Sequence, residues 1–587
     1  MASLEPDTLV TSENYIRAII SLSRRHSNTS SFPGCNYVDL AEWLLQDRRL
    51  LKSRKTEEDS TLFASMSEQP HDLVVVYDCG EKKWDVQHYY QEQHEAFSSS
   101  VSVPLQSLGQ VVFVQGLLSP SWVSVLGSKY NIDPEFFRRN MDFLSTNNDR
   151  HSFSLPSLAN SSNDIFRLCV STLPHRDNFG GQNVQSQRSE QLAELGKYKI
   201  HHLGSKNVCC GDSLVREYTT VCASFSVVEQ FISIYIAKTP SSWAIIVWMD
   251  HGRPLEQSPP GPWTSHIEAR ATPLPVLQHH PKMAFRTTTN RLNADANATA
   301  EFQQSTALLP LQYDSLIALV GLAHRAPQDP LAVCIPLFAH AAFSEVQFLN
   351  LMETRIQNQI DLIVAEHPAE ALETLQYFTN VLNRHAQQLK ESARVLCKLV
   401  ERTRQGSNGA KVESMTTKVA LNSGHSMWFP LETDRAANFS SPRSDGTFTP
   451  GGIIEDYDQL FVRCIDLSRT CTRGINLAMN KATIEESRRA IEQSTRVKRL
   501  TLLATLFIPL SFSSSLLGMN IDLLGQNYVK FWWSFVLCVP ITLCASMVYL
   551  WDIQFLRRGW GRFWKGCRCS RRHMKAERYN KDPNRII

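Results

Sequence analysis

The chain is 587 residues long, 43% apolar and 20% charged, with a mean hydropathy of −0.24. Those averages exclude collagen-like, disulfide-scaffold and wholly disordered chains, and also a carrier whose spans fill the whole length. The formal charge is only +3 but unevenly spread: from Arg557 onward there are 11 basic and 2 acidic residues, leaving 49 basic and 55 acidic residues before them.

Residues 1–70 form a polar N-terminal segment with one expected helix near 38–51, and its opening residues hold acids and no apolar stretch of the kind a signal peptide needs. Residues 71–250 read as a cytosolic α/β domain. Short β-branched runs bounded by Gly, Pro, Asp and Asn predict strands at DLVVVYDC, KWDVQHYY, VVFVQGL, DIFRLCVSTL, SFSVVEQFISIYIAK and SWAIIVWM. Between two of them, residues 119–144 predict helix, turn, helix, with Asp133 as cap and Pro134 at the first helical position. Residues 174–215 are rich in Gln, Ser, Asn and Gly and read as loop, and 251–306 as a loop-rich insertion.

A helical segment follows over 307–405. One helix is expected at about 343–366, and after Pro368 a second carries Leu375, Phe378, Leu382, Ala386, Leu389, Ala393, Leu396 and Val400, spaced three and four apart as a packing seam requires. Residues 406–452 are a polar linker. After Gly452 the chain has no Pro until Pro509 and only Gly474 before Gly518, which predicts a stalk helix over 453–499 running on into an apolar segment, about 65 residues in all.

Two uncharged runs then follow, LTLLATLFIPLSFSSSLL (500–517) and FWWSFVLCVPITLCASMVYLW (531–551). As helices they reach roughly 27 and 31 Å, the thickness of a bilayer's hydrocarbon core. Arg488, Arg489, Arg496, Lys498 and Arg499 precede the first, and Arg557, Arg558, Arg562, Lys565, Arg568, Arg571 and Arg572 follow the second. The 521–530 loop between them holds one Lys and one Asp. By the positive-inside rule both termini are cytosolic and that loop is external. Tyr528, Trp532, Trp533, Tyr549 and Trp551 sit where interfacial aromatics belong. The 14 scattered cysteines then lie on the reducing side, and the basic tail, 552–587, is expected along the anionic inner leaflet.

The first span closes on Gly518-Met519-Asn520. Read by itself, Asn520 serves equally well as a helix C-cap or as one member of a ring of amide oxygens at a pore mouth. The stretch LTLLATLFIPLSFSSSLLGMN, its place after a long stalk helix, the ten-residue loop, the terminal second span and the basic end together resemble the CorA family of divalent-cation (magnesium) transporters and channels, in a fungal-type form. The IDPEFFRRNMDF stretch also resembles that family's segment in its α/β domain.

The resemblance implies an α+β fold: a cytosolic α/β domain, a helical segment with a long stalk helix, and two C-terminal transmembrane helices, assembled as a pentamer. It implies a channel and no enzyme, with no cofactor and Mg²⁺ as the transported ion. It also implies partners limited to the lipid bilayer, divalent cations and further copies of the chain. The plasma membrane is the expected location, and no nucleic-acid partner is expected. Gly518 would let the backbone leave the helix. Asn520 would accept hydrogen bonds from the waters of a hydrated ion, because Mg²⁺ gives up its own waters reluctantly.

Counting back along the helix, Ser515, Ser511, Ile508, Ala504, Leu500 and Val497 share that azimuth as candidate pore-lining residues. Of these, Val497, Leu500 and Ile508 are candidate hydrophobic gates, or alternatively part of a small-residue packing face.

Departures from the family leave alternatives open. The external loop keeps only Asp522, opposed by Lys530, and Thr483 stands where relatives carry an acidic regulatory ligand. Zn²⁺ or another divalent ion, or a non-conducting anchored scaffold or sensor, are the rival readings. Glu485, Glu486 and Glu492 read as solvated stalk charges. The pairs His201-His202, His279-His280 and Cys209-Cys210 lack ligand spacing, Cys567 and Cys569 are candidate palmitoylation sites, and no nucleotide-binding or hydrolase motif occurs.

Overall fold

In a computed structural model, the described residues are 11–24, 35–45, 71–80, 84–100, 108–145, 164–176, 184–204, 208–238, 242–264, 272–279, 306–320, 322, 325, 329–365, 368–407, 449–518, 536, 539–544 and 547. The chain divides into two compact units, residues 1–478 and 479–587.

The first unit is built on an eight-stranded sheet. Its strands are β1 (Asp72–Cys79), β2 (Trp84–Tyr90), β3 (Gly109–Gln115), β4 (Ile165–His175), β5 (Glu217–Thr220), β6 (Ser226–Lys238), β7 (Trp243–Met249) and β8 (Thr272–Leu274). They run in the order β2-β1-β3-β7-β6-β4-β8, with β5 paired to β6 off that path. Among the described residues only β3 and β7 pair in parallel; every other pairing there is antiparallel.

Strand periodicity sends alternate side chains into two cores. Val75, Tyr77, Val111, Phe113, Ile245 and Val247 join one cluster, while Val74, Val76, Val112, Val114, Ile246 and Trp248 join the other. Both faces of the central strands are therefore buried, which is why these strands read as continuous apolar runs rather than alternating ones.

The second cluster is covered by α1 (Ser12–Ser23), α2 (Val38–Leu45), α3 (His94–Ser99), α4 (Pro120–Lys129), α5 (Pro134–Asn140) and α6 (Val184–Lys197). The expected helix–turn–helix is present. Ser119 accepts from the Trp122 amide at 3.4 Å and Asp133 from the Glu135 amide at 2.9 Å, with Pro at the start of each helix. The end of α5 is tied to the sheet by buried Arg216, which grips Asp250 through two nitrogens at 2.7 and 2.8 Å and donates to the Asn140 carbonyl.

Besides the short α3, two helices were not legible in the sequence. α1, capped by Thr11, lies within the segment read as polar; it places Tyr15 and Ile19 against α4, and the Tyr15 hydroxyl donates to the Ile132 carbonyl at 2.7 Å. The 174–215 region, read as loop, holds α6 and a π-helical turn at Tyr198–Gly204. The inner face of α6 is largely polar, with Gln187, Arg188 and Gln191 buried beside Leu195, so no apolar stripe announced it.

The first cluster is covered by α7 (Tyr313–Val320), α8 (Pro330–Ala365), α9 (Pro368–Ser407) and the beginning of α10 (Pro450–Gly518). α8 starts 13 residues before the expected position and accommodates Pro336 inside its second turn. The predicted seam on α9 is buried at all eight positions.

Candidate ion pathway

α10 runs unbroken from Pro450 to Gly518. In the first unit it packs along Ile453, Tyr457, Leu460, Cys464, Leu467, Cys471 and Ala478, all buried and mostly three or four apart. Tyr457 donates to the Phe338 carbonyl at 3.1 Å, Cys464 to the Leu382 carbonyl at 3.1 Å and Ser468 to Asn383 Oδ1 at 3.0 Å. A Cβ on Gly474 would fall 2.8 Å from a Leu375 methyl and 3.3 Å from Ile360, so the missing side chain lets α10 approach both neighbours.

In the second unit the surroundings change. From Met479 through Leu503 the described side chains are exposed, apart from half-buried Lys481. Up to Arg499 the exposed surface is dominated by charge, with the helical pairs Arg489–Glu485 and Arg488–Glu492 at 3.8 and 3.6 Å. Such exposed pairs contribute little stability. From Leu500 the described surface carries no charge and is largely apolar: Leu502, Leu503, Phe507, Leu510 and Phe512 are uncovered together with Leu500 and Ile508. A largely apolar helix surface left bare in a single chain needs lipid or further protein to cover it.

Of the predicted pathway residues, Val497, Leu500 and Ile508 are 60%, 69% and 65% exposed, Ser511 and Ser515 are exposed, and Ala504 is half-buried. Helical geometry keeps the six within an arc of about 80°. Exposure does not single that arc out, since the other faces are equally bare. Several hydroxyls along the helix are satisfied by its own backbone: Thr495 donates to Ile491, Thr501 to Val497 and Ser514 to Leu510, at 2.8 to 3.0 Å. Thr483 likewise donates to the Met479 carbonyl at 2.9 Å. Gly518 is the last residue of α10. Met519 and Asn520 lie outside the described residues, as do Asp522, Lys530, Cys567 and Cys569.

Within the second apolar run, the described positions Val536, Val539, Leu543 and Met547 are also exposed. By contrast α8, long and apolar enough to cross a membrane, is 83% buried over its most apolar window and is a core helix of the first unit. Among the described residues no three His, Cys, Asp or Glu side chains converge as metal ligands. A cluster that sequence reading missed, Glu229 with Arg384 and His385, lies deep in the first unit.

Residues 454–552 match the family model described as CorA-like Mg²⁺ transporter protein. The match begins near the start of α10 and extends through both apolar runs. No curated protein sequence matches the chain. Among solved structures, the complete structure of the CorA magnesium transporter from Methanocaldococcus jannaschii aligns with 81% of this chain and 96% of its own, at 11% identity and a TM-score of 0.31.

Proposed function

We propose that this chain, a member of the CorA-like family through residues 454–552, is a divalent-cation channel that conducts Mg²⁺ through a homo-oligomeric pore. The observation that carries the reading is one of position: the family match, 454–552, takes in nearly all of α10 and the run after it, and α10 ends on Gly518, first of the Gly518-Met519-Asn520 triplet. Two apolar runs per chain cannot enclose a passage, so copies of the first span surround it, as a pentamer. Lipid covers the outward faces, both termini are cytosolic, and the plasma membrane is the site of action.

In this reading Asn520 supplies one amide oxygen per subunit to a ring that accepts hydrogen bonds from the waters of the ion. A neutral ring holds the hydrated ion loosely enough to release it, whereas stripping Mg²⁺ of its shell would cost far more than amides repay. Val497, Leu500, Ala504, Ile508, Ser511 and Ser515 line the passage. The apolar members close it by excluding water and the hydroxyls lie nearer the outer mouth.

Purified chain reconstituted in liposomes should pass Mg²⁺ down its gradient, and Asn520→Ala should abolish flux while the oligomer stays intact by light scattering. Zn²⁺ passing in preference to Mg²⁺ would reassign the ion. Assembled wild-type chain that passes no divalent ion would leave a membrane-anchored scaffold or sensor.

A further inference from the structure

Groups of opposite charge meet where the sheet, α8 and α9 converge. Glu229 of β6, 1% exposed, receives Arg384 and His385 of α9. His385 Nε2 is 3.3 Å from Glu229 Oε1, and its Nδ1 is 3.0 and 3.1 Å from the two carboxylate oxygens of Glu345 on α8. Gln388 donates to Glu229 Oε2 at 3.3 Å, and the Cys169 thiol of β4 lies 3.9 Å from the same oxygen. Burial would push the His385 imidazole down, but Glu345 and Glu229 outweigh it and raise it to about 10. Burial would push Glu229 up, but His385 and Arg384 outweigh it and hold it at about 2. Two positive and two negative groups therefore balance inside the fold.

The same turn of α9 faces α10. Leu382 accepts from Cys464 and Asn383 from Ser468, so four consecutive residues, 382–385, touch α10 with the first two and Glu229 with the last two. Buried ion pairs add little net stability compared with apolar side chains of the same volume, and their best-attested use is to fix one register out of several. Turning or sliding α9 by a single residue would leave Glu229 buried without a partner.

We propose that residues 382–385 of α9 form a conformational clamp. Its charged half locks α9 to β6 in one register, and its other half thereby sets the packing of α10 over residues 457–474. The consequence is a coupling between sheet and helix that is local to this turn. It is independent of whether the chain conducts ions.

Hydrogen exchange read by mass spectrometry on the full chain in lipid nanodiscs tests the clamp. In Glu229→Gln, backbone protection should fall about tenfold over 378–389 and over 457–474, while β1 to β3 change less than about twofold. The double variant Glu229→Gln/Arg384→Gln, which restores charge balance, should bring 457–474 back to within about twofold of wild type. Val227→Ala, a core truncation in the same strand, controls for general loosening. The proposal is overturned if 457–474 keeps wild-type protection in Glu229→Gln, if Val227→Ala at an equal loss of melting temperature loosens it as much, or if the double variant exchanges there as fast as the single one. Should Glu229→Gln not fold, Arg384→Gln, which strips Glu229 of one of its cationic partners, takes its place under the same limits.

Discussion

The His385 imidazole lies flat on the Phe348 ring, with centroids 4.0 Å apart and planes inclined by 13°. An aromatic face attracts a cation, and the two carboxylates at its edges keep His385 charged, so this histidine is an imidazolium at neutral pH. Its proton is held more tightly in the folded state, about 10 against an ordinary 6.5. The stabilisation is therefore complete below about pH 6.5 and is lost as pH rises toward 10. Thermal unfolding of wild type should lose stability steadily across that window. His385→Gln should be destabilised by about 3–5 kcal/mol at pH 6 and should lack the alkaline decline. An unchanged decline in the variant would mean that another group causes it.

Gly116 and Gly196 should respond to alanine in opposite directions. Gly116, at the end of β3, has φ +67°, and a Cβ there would meet backbone atoms of Asp212 and Gly211 at 2.5 to 2.7 Å. Gly116→Ala should cost about 2–3 kcal/mol or more. Gly196 lies in α6 with nothing within 4 Å of its would-be Cβ, so Gly196→Ala should gain up to about 1 kcal/mol. Chemical denaturation of both variants checks the pair.

The N-terminal segment is part of the core. Trp43 of α2 is buried beside Leu40 and Leu44, and a Cβ on Gly127 would collide with the Tyr15 ring at 2.2 Å. Trp43→Ala should cost about 3–5 kcal/mol. Melting within 1 °C of wild type would show that this layer is dispensable.

Hydrophobic closure of the proposed pore assigns one shared role to two residues on one helical face. Ile508→Ser and Val497→Ser should each raise basal Mg²⁺ leak in liposomes by about tenfold, the effect of roughly 1.4 kcal/mol on a closed state. Leu502→Ser, about 120° or more from both on the same helix, should leave leak unchanged. Equal leak in all three would remove Val497 and Ile508 from the gate.

Local signals determined much of this protein. β-branched runs gave β1 to β4, β6 and β7, Asp133-Pro134 gave a helix start, and a three-four seam gave α9. The absence of breakers between Gly452 and Pro509 gave α10. Each rests on neighbours within a few residues, so the chain states it directly. Tertiary structure decided the rest. Glu229, Glu345 and His385 are ordinary polar residues in sequence, and only the convergence of β6, α8 and α9 makes them one buried cluster. α6 is held by partners for Gln187 and Arg188 that come from elsewhere in the chain rather than by an apolar stripe, as where Arg188 donates to the carbonyls of Thr220 and Val221. Pairing energies of this kind depend on distance in space, and no spacing along the chain encodes them.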